Sequence, residues 1–218
     1  MKKRTFIAVA LLILLTTITS QQKIVISKFN LTTIEIKNNS LLKKEDIKKL
    51  LLPIYDKNLI FLKSEDIEKA LMQNSFVESF IIKKIYPNTL KIEIFEKKPI
   101  AILLNNKNKF YISEKIDLIE FTNLKNYQNL PYVFGNKEEF KIFYDDLNTI
   151  NFPTDKIKKY TLYETNRWDI ETIDKKIIKL PNKDYIESLQ SYLNLKNKSE
   201  FKKYDVFDFR VNNQLILK

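Results

Sequence analysis

The stretch KKIYPNTLKIEIFEKKPIAI, residues 83–102, constrains the fold of this chain more than any other segment. Pro87 and Asn88 predict a turn, because proline presets φ and asparagine tolerates left-handed geometry. Beyond the turn, leucine or isoleucine occupies every second position from residue 90 to 94, which is the period of a half-buried strand. The stretch therefore predicts a β-hairpin with one buried face.

The segments before this hairpin change from strand to helix period and back. Residues 33–37 alternate apolar and polar side chains, whereas apolar residues recur at helical spacing over 43–53 and again in a helix that opens at Ser64. A further strand runs over 76–85 into the hairpin. The order strand, helix, helix, strand, strand predicts two helices on one face of a three-stranded sheet, which is an α+β layer.

Beyond Pro99 the pattern predicts short strands with flanking helices, and we expect a mixed β-rich domain. The closing strands would be hinged on Asn212 and Asn213. The predicted helices cover 138–147 and 186–193, and the predicted strands cover 100–104, 110–112, 118–121, 130–134, 159–164, 167–172, 176–180, 204–210 and 214–217.

The amino terminus has the composition of a membrane anchor. Residues 2–4 are basic and precede an apolar run over 6–15, which is shorter than the ~20 residues that a bilayer core requires. A cleaved signal peptide is the alternative, but no small-x-small cleavage site follows the run. We expect a retained anchor, with the basic flank held in the cytoplasm. The expected segments are a cytoplasmic tail at 1–4, an anchor at 5–22, an α+β domain at 23–98 and a β-rich domain at 99–218.

The composition excludes most catalytic schemes. The chain has no cysteine and no histidine, which excludes a disulfide framework, a thiol nucleophile, an imidazole base and an ordinary zinc site. Gly135 is the only glycine, which argues against a glycine-rich phosphate loop. Paired acids at 138–139 and 145–146 are adjacent on a predicted helix, so they diverge and indicate a solvated face. We expect no catalytic residue, no metal, no cofactor and no small-molecule substrate.

The net charge of +11 does not indicate a nucleic-acid partner. A protein that binds nucleic acid concentrates its lysines where they neutralise phosphates. Here the lysines are scattered along the whole chain, as exposed lysines are on a solvated surface. We therefore expect no nucleic-acid binding.

Several motifs resemble those of one known family. NLIFLKSEDIEKAL and FVESFIIKKIYPNTLKIEIFEKKPIA lie within residues 58–101, followed by LPYVFG at 130–135, RWDIETIDKKIIKLP at 167–181 and YDVFDFRVNNQLIL at 204–217. In this order, behind an N-terminal anchor, they resemble the POTRA domain (polypeptide-transport-associated domain) and β domain of the FtsQ/DivIB cell-division family. The resemblance covers nearly the whole chain after the anchor.

The resemblance implies a non-catalytic scaffold. Members of that family are single-pass proteins of the bacterial inner membrane, with a cytoplasmic N-terminus, a periplasmic bulk and a place at the division septum. They bind the membrane proteins FtsB and FtsL ahead of septal peptidoglycan synthesis, and the POTRA domain is a possible site for other divisome proteins. The alternative is a POTRA-containing subunit for secretion or outer-membrane assembly.

The expected partner-binding site is the closing hairpin, where the resemblance implies that FtsB docks. A terminal strand leaves one edge of main-chain donors and acceptors open to a strand from another chain. Arg210 could instead pair locally with Asp208 or Asp205, and Trp168, Phe207 and Phe209 could simply be core. The expected partner-binding residues are Arg167, Phe209, Arg210, Val211, Leu215, Ile216 and Leu217.

Overall fold

The computed structural model describes residues 2–17, 27–105, 108–211 and 214–218. The N-terminal helix α1 spans Lys2–Thr17. Within those described ranges, no helix combines the length and apolarity needed to cross a membrane. The last part of the predicted anchor, residues 18–22, lies outside the described residues, as does the predicted hinge at Asn212 and Asn213.

A three-stranded sheet follows the predicted order of elements. Strand β1 (Thr33–Lys37) precedes helices α2 (Lys44–Leu50) and α3 (Ser64–Leu71), which lead to strands β2 (Val77–Ile85) and β3 (Thr89–Glu96). The sheet order is β1-β3-β2, and β1 runs parallel to β3. The β-α-α-β-β order and the hairpin are confirmed.

The chain divides into two compact units. The first contains the described residues up to 37, together with 44–71 and 81–93; the second contains 38–43, 72–80 and the chain from 94 onward. In the first unit, the strands and helices bury the apolar positions that the sequence pattern predicts. Those buried residues include Ile34, Ile36, Ile47, Ile67, Ala70, Leu71, Leu90 and Ile92.

The second unit contains a nine-stranded mixed sheet with order β12-β11-β10-β9-β8-β7-β4-β5-β6. Two helices accompany it, α4 (Lys137–Thr149) and α5 (Tyr185–Leu195). The strands are β4 (Pro99–Asn105), β5 (Asn108–Ser113), β6 (Leu118–Glu120), β7 (Tyr132–Phe134), β8 (Ile157–Tyr163), β9 (Arg167–Thr172), β10 (Ile177–Lys179), β11 (Val206–Asp208) and β12 (Ile216–Leu217).

Three strand pairs of this sheet are parallel. β7 is parallel to both β4 and β8, and β10 is parallel to β11, whereas β8, β9 and β10 form an antiparallel meander. Parallel neighbours require a long crossover connection. Helix α4 lies in the connection from β7 to β8, and α5 in the connection from β10 to β11. The mixed β-rich domain with flanking helices is confirmed.

Aromatic residues dominate the main core of the second unit. Trp168 stacks on Phe143 at a centroid distance of 4.9 Å, and both belong to the buried cluster with Tyr160. Gly135 lies against this cluster: a Cβ there would come within 2.9 Å of the Leu162 Cβ. The only glycine of the chain is therefore needed for close approach of the backbone.

Glu96, at the end of β3, is bound by the segment that follows β1. Its carboxylate accepts hydrogen bonds from the Ser40 amide and hydroxyl at 3.0 and 2.7 Å. The amides of Leu41 and Leu42 also donate to it, at 2.7 and 2.8 Å. One charged side chain thus satisfies three consecutive backbone donors, and the resulting charge-assisted hydrogen bonds are among the strongest in proteins.

We predict that Glu96→Ala destabilises the protein by about 1–3 kcal/mol, because it leaves these amides without their acceptor. Urea unfolding of the purified chain measures the change. Glu93→Ala is the matched control, since Glu93 lies on the same strand and its side chain makes no comparable set of hydrogen bonds among the described residues. Equal unfolding free energies for the two variants would contradict this assignment.

Candidate partner-binding site

Strand β12 forms one edge of the nine-stranded sheet and pairs only with β11. Val206 and Lys218 exchange both main-chain hydrogen bonds, at 3.0 and 3.1 Å. Because such pairs alternate along an antiparallel ladder, the main-chain groups of Ile216 face β11 and those of Leu217 face away from it. The Leu217 N–H and C=O are thus placed to pair with an incoming strand.

The opposite edge of the sheet, strand β6, is protected differently. The Glu120 amide donates to the Ser75 hydroxyl at 3.0 Å. A main-chain donor at that edge is therefore satisfied within the chain, which reduces its capacity to pair with another strand. The two edges of the sheet are chemically unequal.

The side chains near the C-terminus lie on two faces of the sheet. Leu215 and Leu217 are half-buried against the main core. Ile216 lies on the opposite face and is 39% exposed. Two residues of the predicted apolar terminal strand, Leu215 and Leu217, thus pack on the core, and Ile216 between them is exposed to solvent.

A row of charged residues leads across the sheet to Ile216. Asp169, Lys179, Asp208 and Ile216 stand opposite one another on β9, β10, β11 and β12. Both aspartates are buried. Since buried carboxylates require compensating charge, the cations beside them are part of the architecture of this face.

Arg210 pairs with Asp208. Its Nε and Nη2 atoms donate to the two carboxylate oxygens at 2.8 and 2.6 Å, and its amide donates at 3.1 Å. These hydrogen bonds hold the pKa of Asp208 below its ordinary value. Asp205 is instead bound by Lys176 at 2.9 Å. Of the two local pairings considered, the one with Asp208 is confirmed, and the Arg210 side chain remains 42% exposed.

Arg167 lies on the same face and is held by two neighbours. Its Nε is 3.4 Å from the Asp169 carboxylate, and its guanidinium lies 4.2 Å from the centre of the Tyr163 ring. Burial raises the pKa of Asp169, and Arg167 opposes that rise. Both arginines are therefore oriented by residues of their own chain before any partner arrives.

The other predicted site residues are placed differently. Phe209 is buried in the main core, and its amide donates to the Lys179 carbonyl at 2.9 Å. Val211 is exposed and lines a groove of about 480 Å³ beside α5 with Leu215. The structure thus brings Arg167, Arg210 and Ile216 onto one face, while Phe209, Leu215 and Leu217 support that face from the core side.

Sequence reasoning missed Asp169 and Lys179, and it named Asp208 only as a local partner of Arg210 and not as part of the charged base of this face. Their alignment depends on the register of β10 against β11, which local alternation does not reveal. Throughout the described portions of the chain, no group of three or more acidic side chains could hold a metal ion. The face forms ion pairs and hydrogen bonds within the chain, and the free edge of β12 could accept an added strand.

We predict that Arg210→Met destabilises the protein by about 1–2 kcal/mol at pH 7, a value reduced for the partial exposure of the arginine. The substitution leaves Asp208 buried without its main partner, so its pKa rises. Because Arg210 depresses that pKa in the native protein, its stabilisation is present above about pH 4 and is lost as the pH falls further.

Urea unfolding at pH 7 and pH 3 measures this difference. A double-mutant cycle with Asp208→Asn isolates the pair, and the coupling should shrink at pH 3. A coupling that is independent of pH would contradict the role of the Asp208 charge.

Comparison with known proteins supports the reading of both units. Residues 29–97 match the family model described as "POTRA domain, FtsQ-type". The protein named cell division protein FtsQ from Bartonella bacilliformis is 28% identical over 169 residues, which is 77% of this chain and 55% of that protein. Its namesake from Rickettsia conorii is 28% identical over 148 residues, covering 66% of this chain and 55% of its own length.

A further FtsQ, from Rhizobium meliloti, is 20% identical over 133 residues and covers 60% of this chain and 43% of its own length. The chain thus spans about half the length of these relatives. The similarity extends beyond the POTRA match into the nine-stranded sheet, because the longest alignment covers far more than residues 29–97. Residues 29–97 thus match an FtsQ-type POTRA domain, and the chain is similar to FtsQ proteins over that domain and part of the β-rich domain that follows it.

Proposed function

We propose that this protein is a non-catalytic scaffold of bacterial cell division that binds a partner through the free edge of β12. The observation that carries the proposal is the terminal strand itself, with main-chain groups of Leu217 directed outward and Ile216 exposed. An added strand would gain affinity from main-chain hydrogen bonds and selectivity from alternate side chains. The relatives named cell division protein FtsQ support the cellular role.

The charged face next to β12 would make partner binding selective. Arg210 and Arg167 each keep part of the guanidinium accessible while an aspartate orients it. An acidic residue on the partner, placed beside the added strand, would form ion pairs with the accessible parts of these arginines. We infer that the partner is a membrane-anchored protein of the FtsB or FtsL type, recruited ahead of septal peptidoglycan synthesis.

The N-terminal segment completes the proposed arrangement. We infer that residues 5–22 are a single-pass anchor of the inner membrane, with residues 1–4 in the cytoplasm and both folded units in the periplasm. The basic residues at 2–4 and the exposed apolar side chains of α1 support this orientation. The POTRA domain would provide a separate surface for other divisome proteins.

We predict that Ile216→Glu abolishes co-purification with the FtsB-type partner while the unfolding free energy stays within about 0.5 kcal/mol. A charge at this position would lie within the added-strand interface without its counter-ion. Leu118→Glu is the matched control, because Leu118 is also 39% exposed and lies on β6, the opposite edge. Undiminished binding by the Ile216 variant would defeat the proposed site.

We also predict that a fluorescent protein fused to the N-terminus gives a band at midcell in dividing cells. The N-terminus is chosen because the C-terminal residue Lys218 is hydrogen-bonded to Val206 in the sheet. The Ile216→Glu variant should still reach the envelope but fail to recruit the FtsB-type partner. An even distribution of the wild-type fusion around the cell would contradict the division role.

A further inference from the structure

A second cavity of the β-rich unit contains none of the predicted partner-binding residues. It has a volume of about 510 Å³ and lies between the loop after α4, the β9–β10 turn, the end of α5 and the start of β11. This volume is within the range of ~300–1,000 Å³ that is typical of ligand pockets. The cavity combines an aromatic floor, a fixed wall and a basic rim.

The floor is a group of three aromatic side chains. Tyr192 lies between Phe152, at a centroid distance of 6.2 Å, and Phe207, at 5.0 Å and nearly perpendicular. Desolvation, with a contribution from Asp174, raises the pKa of Tyr192 to about 12. The tyrosine is therefore neutral at physiological pH and adds no negative charge to the floor.

One wall of the cavity is held in place by Lys176. Its ammonium group donates to the carbonyls of Lys202 and Tyr204 at 3.0 and 2.8 Å, and to the Asp205 carboxylate at 2.9 Å. These bonds fix the segment that carries Phe201 along the cavity. The cavity is therefore preformed, which lowers the entropic cost of binding.

The rim of the cavity carries lysines, and two of them have no ion-pair partner among the described residues. Lys176 is paired with Asp205, and Lys156 is 3.2 Å from Asp155. Among the described residues, no ion pair engages Lys196 or Lys202, although both line the cavity. Asp174 is the acidic residue of the lining, and the lysines outnumber it. The mouth of the cavity therefore favours an anion.

An exposed apolar side chain extends the cavity at its mouth. Ile173, in the β9–β10 turn, is 59% exposed and is one of the lining residues. A ligand that reached the aromatic floor would cover it. Apolar area at the mouth and floor, together with a basic rim, is the pattern of an anchor pocket for a peptide side chain.

We propose that this cavity binds an acidic peptide segment of a partner protein, which inserts one large apolar side chain onto the aromatic floor. Carboxylates flanking that side chain would contact Lys196 and Lys202. Charge complementarity selects an acidic sequence, and a cavity of this size accommodates a phenylalanine or leucine as the anchor. This site is separate from the edge of β12 and does not depend on the partner bound there.

The test uses the full chain in lipid nanodiscs and the pentapeptide Asp-Glu-Phe-Glu-Asp, made with 4-fluorophenylalanine and followed by fluorine NMR. We expect saturable binding that the double variant Lys196→Gln/Lys202→Gln weakens at least tenfold. The matched control is Lys198→Gln/Lys203→Gln, which removes the same charge from the same region outside the cavity lining. The control should bind within about twofold of wild type, because only solvated charge is removed.

Competition experiments show whether the phenylalanine side chain of the peptide is needed for binding. The unlabelled peptide should displace the probe, whereas the peptide with alanine in place of phenylalanine should not. Equal affinities for the two double variants, or displacement by the alanine peptide, would overturn the proposal. Failure of the wild-type chain to bind the peptide would also overturn it, and direct binding of laurate by that chain would then show that a lipid is the ligand. Ile216→Glu should leave peptide binding unchanged, which separates this site from the strand edge.

Discussion

The parallel pairing of β10 with β11 is the constraint on which the candidate site depends. Parallel strands cannot be joined by a tight turn, so the chain must cross over, and α5 lies in that connection. The segment that follows β11 folds back on it as β12. The register of β10 against its two neighbours is what places Lys179 between Asp169 and Asp208.

The two faces of β12 differ in their surroundings: one packs on the core, and the other is the face proposed to bind a partner. Leu215 and Leu217 hold the strand against the aromatic core, and Ile216 is left to the solvent between them. Short edge strands are usually a device against unwanted pairing, because few main-chain groups are offered. In the proposed binding mode, a short β12 would also limit the length of the added strand, and side chains beside it, such as Arg210, would supply much of the selectivity.

Local sequence patterns predicted the elements well and their long-range pairing poorly. Strands β1 and β9 begin and end where alternation placed them, because a half-buried strand carries its own period. The parallel pairs were not predicted, since pairing between distant strands leaves no local signal. The same reason explains the site: Arg210 and Asp208 are two residues apart in the sequence and could be paired from it, whereas Asp169 and Lys179 required the register.

Gly135, the single glycine of the chain, occupies a position where a side chain does not fit. Elsewhere the positions at positive φ carry asparagine and aspartate, which favour that region, together with Lys175 and the β-branched Ile116, for which it is unfavourable. At Gly135 no such compromise exists, because the obstacle is Leu162 and the ring of Trp168 rather than a torsion angle. A side chain at residue 135 would therefore require Leu162 to shift, whatever residues occupy the lysine-rich exterior, so the single glycine marks the point where backbone and core lie closest together.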